Sequence, residues 1–350
     1  MTMQTAKDQS VMNPKQISVG VVGLGFMGCS ITTCLLIAGH PVVGIASTPE
    51  DLKTAAKLVR DHLSLSLEKG ICEEQPTYYF ENLIITEDYN LLKDKHLVIE
   101  TVIEDVAIKK QVYKKIESVV SENAILTSNT SAIPISLLQE ELRVPKRFFG
   151  LHWGVPAHTA PSVEIICGDT SDQEQAEWLY KLSYCWNKEP MLLRKDIRGF
   201  IRNRLAYAMY REAFYLVENG YASVEDVDQA CRHGLGGWTS FVGCFRWMDL
   251  TGISSYQTVM KDLFPTLHNG IEVPKLLDTI VKSGGNGISN GNGFYQYTPE
   301  EARLWQERQQ EFSYDIRQLK QKYSKDAIKN KLELEEKKRS NVGTVPMQPK

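Results

Sequence analysis

Four short segments of this chain carry side chains that could work together on one small molecule. The first is Gly23-Leu24-Gly25-Phe26-Met27-Gly28, a Gly-x-Gly-x-x-Gly run that follows an apolar stretch and opens a helical pattern. Gly23 lets the chain turn tightly, Gly25 leaves room for a pyrophosphate, and Gly28 lets the helix pack close to the strand. The helix N-terminus adds free N–H groups and a positive dipole end, so the segment reads as a dinucleotide cradle. The second segment is Ser128-Asn129-Thr130-Ser131, at the carboxyl end of a predicted strand, where open α/β sheets bind ligands. The third pairs His152, which closes a strand, with Glu164, an acid among apolar residues that needs a buried partner. The fourth is Arg198-Gly199-Phe200-Ile201-Arg202-Asn203-Arg204.

The elements that must position these residues alternate between strand and helix. Strands are predicted over 17–22, 42–46, 83–86, 97–101, 124–128, 148–152 and 163–166, with helices over 29–38, 51–69 and 109–119. That alternation predicts an α/β fold, a Rossmann-type doubly wound parallel sheet over 16–195. From 196 to 321 strand signals fade. A long helical pattern over 201–218 is followed by Ser223, which caps a second helix with Asp226 as the capping-box acid. A mostly α-helical second domain is therefore expected, between a disordered leader over 1–15 and a charged tail over 322–350.

Composition narrows the classes. The net charge of −3, with no basic excess, argues against nucleic acid as a partner. No stretch approaches the roughly 20 apolar residues that span a membrane. The seven cysteines are scattered and odd in number, and no Cys-x-x-Cys occurs, which fits reduced thiols in the cytoplasm and no metal site.

Taken in order, GLGFMG, SNTSA, GLHW followed by VEII, RGFIRNRL, EDVDQACRHGLG and GNGFYQY resemble the 3-hydroxyacyl-CoA dehydrogenase family. They are also similar to its branch acting on free 3-hydroxy acids, which includes lambda-crystallin, gulonate 3-dehydrogenase and carnitine dehydrogenases. The resemblance covers about residues 16–320. It implies NAD, with NADP as the alternative, a small-molecule substrate such as an acyl-CoA of fatty acid metabolism, and a homodimer. It also implies that His152 is the catalytic histidine and Glu164 its carboxylate partner. Ser131 and Asn203 match residues that hold the substrate's reacting oxygen, with the site in a cleft between domains. Glu104, Lys109, Asn129 and Ser47 fall along the implied cofactor path, and Lys69 matches a lysine that meets the CoA nucleotide.

Three positions depart from the family pattern. Ala46 stands where the second strand usually ends in an acid, which removes the usual argument for NAD over NADP. No arginine is adjacent, and Glu50 and Asp51 would repel a 2′-phosphate, so NAD is favoured. Val155 replaces the asparagine of a His-x-x-Asn-Pro pattern, and Gly243-Cys244-Phe245 replaces Gly-Pro-Phe. Near the latter, Trp238, Phe241, Phe245 and Trp247 read either as core or as a bulky apolar pocket lining. Three functions remain open: a 3-hydroxyacyl-CoA dehydrogenase, a dehydrogenase of a free 3-hydroxy acid, and a cofactor-binding protein without turnover.

Overall fold

The computed structural model describes residues 12–323, 331–333 and 335. Most of the expected leader and most of the expected tail lie outside these residues. Within the leader, Asn13 caps a single 3-10 turn at Pro14–Gln16. The chain divides between Leu205 and Ala206 into two compact units. No described helix is long and apolar enough to cross a membrane. All seven cysteines are free thiols.

The first unit is built on eight strands: β1 (Val19–Val22), β2 (Val42–Ile45), β3 (Leu83–Thr86), β4 (Leu97–Glu100), β5 (Ile125–Ser128), β6 (Phe148–Trp153), β7 (Ser162–Cys167) and β8 (Glu189–Leu193). Among the described residues they form one sheet in the order β3-β2-β1-β4-β5-β6-β7-β8. Its helices are α1 (Phe26–Ile37), α2 (Pro49–Glu68), α3 (Pro76–Phe80), α4 (Val106–Glu117), α5 (Ile135–Gln139) and α6 (Gln173–Cys185), followed by the start of α7 (Arg202–Glu218). The inner strands β1, β2, β4 and β5 are four residues long and wholly buried, as strands covered on both faces must be. Strand order reverses at β1, which pairs in parallel with β2 along one edge and with β4 along the other. That reversal is where a doubly wound sheet opens a crevice for its ligand.

One pairing departs from the all-parallel sheet read off the sequence. β6 and β7 are antiparallel, with His152 opposite Glu164. Only residues 154–161 join them, too few for the crossover helix that a parallel pair requires. β7 and β8 are parallel because α6 provides that crossover. Neither α6 nor β8 was assigned from the sequence. Pro190 within β8 argues against a strand, yet β8 lies at the end of the strand order, where a missing N–H is tolerated.

Local chemistry sets the helix starts. Thr48 caps α2 ahead of Pro49, Asp105 caps α4 through the N–H of Ile108, and Asp172 caps α6. By contrast, α1 starts at Phe26, three residues before the predicted start, with Gly25 at its N-cap and no side-chain cap. Its first turn therefore holds Gly28 and leaves its leading N–H groups uncapped by any side chain.

The second unit continues α7 and adds α8 (Val224–Gln229), α9 (Gly236–Thr239), α10 (Gly243–Thr251), α11 (Ile253–Leu263), α12 (Lys275–Lys282) and α13 (Pro299–Lys322). The Ser223–Asp226 capping box forms as expected. The helix expected over 224–233 instead passes into a π-helical stretch, Ala230–Leu235, beside three glycines that weaken the regular ladder. Trp238 and Trp247 stack with centroids 5.6 Å apart. The core reading of their neighbours is corrected: Phe241 is half exposed and Phe245 is 83% exposed.

Candidate active site

The glycine loop is shaped by contacts that no side chain could share. Gly23 has φ +96°, a left-handed conformation open to glycine at no steric cost. A Cβ on Gly28 would lie 1.8 Å from the carbonyl oxygen of Gly23, so the helix can approach the turn only without one. A Cβ on Gly25 would meet nothing within 4 Å, which leaves open space above the loop. From the end of β4, Thr101 Oγ1 donates to the Gly23 carbonyl at 2.5 Å and braces the turn. Leu24 is buried, so it serves through its backbone, whereas Phe26 is exposed beside the helix start. Open space and uncapped helical N–H groups together fit a dinucleotide pyrophosphate.

The carboxyl ends of β4, β5 and β6 bring the chemistry-bearing side chains to one edge. His152 is 6% exposed and Glu164 is fully buried, and His152 Nδ1 lies 2.7 Å from Glu164 Oε2. Because a carboxylate only accepts, Nδ1 carries the proton and Nε2 keeps its lone pair. Glu164 Oε1 accepts the N–H groups of Ile201 and Arg202, each at 3.0 Å, and so anchors the start of α7. Burial pushes the Glu164 carboxyl up. The hydrogen bonds from His152 and the Arg202 N–H, with the nearby positive charge, outweigh it and hold the group below its ordinary range.

Arg202 was not singled out from the sequence, although it lies in a segment that was. Its Nε donates to Glu164 Oε2 at 3.1 Å and its Nη1 to Ser162 Oγ at 2.8 Å. Its Nη2 lies 3.3 Å from both ring nitrogens of His152. A nitrogen equidistant from both cannot lie in the ring plane without striking the carbon between them. The guanidinium therefore covers one face of the imidazole. The only signal available beforehand was an unusual density of arginines around Asn203.

The polar turn after β5 is held by a second buried carboxylate. Glu100 accepts from Tyr113 Oη at 2.5 Å, Ser128 Oγ at 2.7 Å and Lys109 Nζ at 2.7 Å. Lys109 is 0% exposed and also faces the Val102 carbonyl and Glu104. These three acceptors match its three N–H bonds, so in this structure Lys109 is turned toward Glu100, Val102 and Glu104. Glu104 Oε1 accepts from Thr130 Oγ1 at 2.5 Å and from the N–H of Ser131 at 2.8 Å. Burial raises the Glu104 carboxyl, and the Thr130 hydrogen bond, the Lys109 charge and the Ser131 N–H bring it below its usual range.

Ser131 and Asn203 meet directly, with Asn203 Nδ2 donating to the Ser131 carbonyl at 2.8 Å. The Ser131 hydroxyl has no partner among the described residues, and Asn203 retains a second amide N–H. Asn129 Oδ1 accepts the Trp153 N–H at 3.1 Å, tying the end of β5 to the end of β6. His152, Glu164 and Arg202 thus form one hydrogen-bonded group and Ser131 and Asn203 another, the two adjoining because Arg202 and Asn203 are consecutive residues. Ser47 lies exposed at the tip of β2. Lys69 closes α2 and pairs with Glu68 at 3.8 Å. Val155 is exposed just after His152.

Glu164 makes a testable contribution to stability. Its folded carboxyl is held below the ordinary value of 4.5, so its contribution is present above that pH and is lost as pH falls through the folded value. Glu164→Gln should cost about 3 kcal/mol in urea denaturation at pH 7, since it strips a buried counter-charge from Arg202 and His152. The difference from the native chain should shrink below about pH 4. A constant difference across this range would count against an ionised Glu164.

Comparison with known proteins agrees with this geometry. The family model for the NAD binding domain of 3-hydroxyacyl-CoA dehydrogenase matches residues 18–197, and the model for its C-terminal domain matches 199–297. The chain is 33% identical over 288 residues to a 3-hydroxybutyryl-CoA dehydrogenase of Mycobacterium tuberculosis, covering 80% of this chain and 98% of the relative. It is 30% identical over 296 residues to a 5-formyl-3-hydroxy-2-methylpyridine 4-carboxylate 5-dehydrogenase of Mesorhizobium japonicum, covering 83% and 93%. A solved structure of an enzyme of the latter activity, described as an NAD+ dependent dismutase, aligns with TM-score 0.81 at 28% identity over 88% of this chain and 99% of that one. M. tuberculosis FadB2 aligns with TM-score 0.67 at 31% identity over 80% and 99%. With the glycine loop, the doubly wound sheet and both family models in agreement, the chain belongs to the 3-hydroxyacyl-CoA dehydrogenase family and is an NAD-dependent oxidoreductase acting on CH–OH donors.

Proposed function

We propose that His152 is the general base and acid in the interconversion of a 3-hydroxyacyl-CoA and a 3-oxoacyl-CoA. The observation that carries this reading is the 2.7 Å contact between His152 Nδ1 and the buried Glu164, which leaves Nε2 free to take a proton. NAD supplies the hydride acceptor when bound. Nε2 takes the hydroxyl proton in oxidation and returns it in reduction. Glu164 fixes the tautomer and stabilises the imidazolium, as a triad carboxylate does. The Ser131 hydroxyl and the free Asn203 N–H donate to the developing oxyanion, an effect of about 3 kcal/mol per donor. Glu104, steadied by Lys109, holds the turn that presents Ser131. Gly23 to Gly28 hold the pyrophosphate, with Asn129 and Ser47 further along the cofactor's path.

A second substrate reading, a free 3-hydroxy acid, is favoured by one observation. Arg202 places a cation against His152, where a substrate carboxylate would find a partner. The relative from M. japonicum also carries a carboxylate substrate in its name. On the acyl-CoA reading, Lys69 meets the CoA nucleotide. The assembly we propose is a homodimer. In the second unit α8, α10, α11 and α12 bury none of their residues, and Phe245, Leu250, Ile253, Phe264 and Ile271 are exposed. Apolar surface on this scale marks an interaction face.

Three measurements test these readings. His152→Ala should lower turnover by about 100-fold or more while leaving NADH affinity nearly intact. A variant that keeps most of its activity refutes the assignment. NADH consumption should be followed with acetoacetyl-CoA beside a panel of free 3-oxo acids. Activity on a free acid alone replaces the acyl-CoA reading with the second. Sedimentation should give twice the chain mass, and a monomer at micromolar concentration would rule out the dimer.

A further inference from the structure

A doubly wound dinucleotide-binding unit places a carboxylate about 20 residues beyond its glycine loop, at the end of the second strand, where it holds the adenosine ribose. In this chain Ala46 occupies that place and is buried. The fold brings a different carboxylate to the neighbouring residue. Asp51 lies in the first turn of α2, and its Oδ2 accepts the N–H of Ser47, the residue directly after Ala46, at 3.1 Å. Thr48 completes the loop, its hydroxyl accepting the N–H of Asp51 at 3.1 Å. These bonds hold the Asp51 carboxylate against the tip of β2, while its Oδ1 has no partner among the described residues.

The same carboxylate is felt on α1. The Cys29 thiol, in the first turn after the glycine loop, is pushed up to about 12, by burial first and by the negative charge of Asp51 second. Asp51 is thus held at the tip of β2, on the side of the sheet end where an adenosine ribose lies in this fold. Residues 44–52 contain Glu50 and Asp51 and no lysine or arginine, so nothing in this segment could neutralise a 2′-phosphate.

We propose that Asp51 is the ribose-recognition residue of this chain, its free Oδ1 accepting the 2′-hydroxyl of NAD and its charge excluding NADP. The carboxylate comes from the first turn of the following helix instead of the strand end, and its bond to the Ser47 N–H holds it at the tip of β2. The inference rests on dinucleotide binding by the glycine loop and is independent of the role of His152, since it is read by binding rather than turnover.

The test is fluorescence titration of the purified full chain with NADH and with NADPH. The native chain should bind NADH at least about tenfold more tightly, as a hydrogen bond to a charged group allows. Asp51→Asn keeps the shape and an acceptor for the Ser47 N–H, and should reduce that preference by about tenfold. Asp51→Ser, which retains a capping side chain, should do the same should the first variant fold poorly. Glu50→Gln should leave the preference within about twofold. The proposal is overturned if the native chain binds NADPH as tightly as NADH. It is also overturned if the folded Asp51 variants keep the native preference while only their melting temperature falls, which would make Asp51 a helix cap alone. An equal loss in Glu50→Gln would overturn it too, by showing a general charge effect.

Discussion

The site is organised around a fully buried carboxylate that needs its partners. An ionised group in the interior is costly unless hydrogen bonds and opposite charge surround it. Glu164 obtains these from two directions: the His152 imidazole on the neighbouring strand, and two N–H groups with one guanidinium at the start of α7. One carboxylate therefore orients the histidine and fixes where α7 begins. Asn203 is the next residue on that helix, so its amide reaches Ser131 because Glu164 has set the helix start. Removing the charge would loosen three parts of the site together.

Glu100 plays the corresponding part on the cofactor side. It closes β4, and its partners Ser128, Lys109 and Tyr113 come from the adjacent strand end and from α4. Lys109 passes the interaction to Glu104, which grips the turn containing Ser131. Ser131 is thus held from both carboxylates, through Glu104 on one side and through Asn203 on the other. Such doubly supported placement suits the role proposed for Ser131, since the benefit of an oxyanion donor falls steeply with misplacement. Arg202 adds a constraint of a different kind. It neutralises Glu164 while covering one face of His152, so this imidazole works under a positive neighbour as well as a negative one.

Much of this was legible in the chain. Gly23 and Gly28 announce their roles because only glycine tolerates the turn and the packing they make. The alternation of short apolar runs with helical periods announces the doubly wound sheet. His152, Glu164, Ser131 and Asn203 stand in ordered motifs at element ends. Other features were not legible for definite reasons. The antiparallel β6–β7 pair follows from a short connection, a matter of length rather than of residue type. Strand β8 was hidden by Pro190, which is harmless only at an edge, and edge position is a property of the assembled sheet. Burial of Lys109 could not be read from a lysine in an amphipathic helix, because the acceptors that saturate it come from β4 and the loop after it. The exposure of Phe241 and Phe245 likewise depends on what the second unit leaves uncovered.

By itself the sequence determined the cofactor class, the alternation of strand and helix in the first unit and the positions of His152 and Glu164 in strands, because these depend on residue type and local spacing. Tertiary structure alone decided which groups share a charge. That Arg202 lies over His152, that Lys109 pairs with Glu100 and Glu104, and that the Asp51 carboxylate reaches the tip of β2 beside Ala46 are facts of distance between segments. Electrostatic and hydrogen-bond energies fall off within a few ångströms, and no periodicity along a chain encodes those separations.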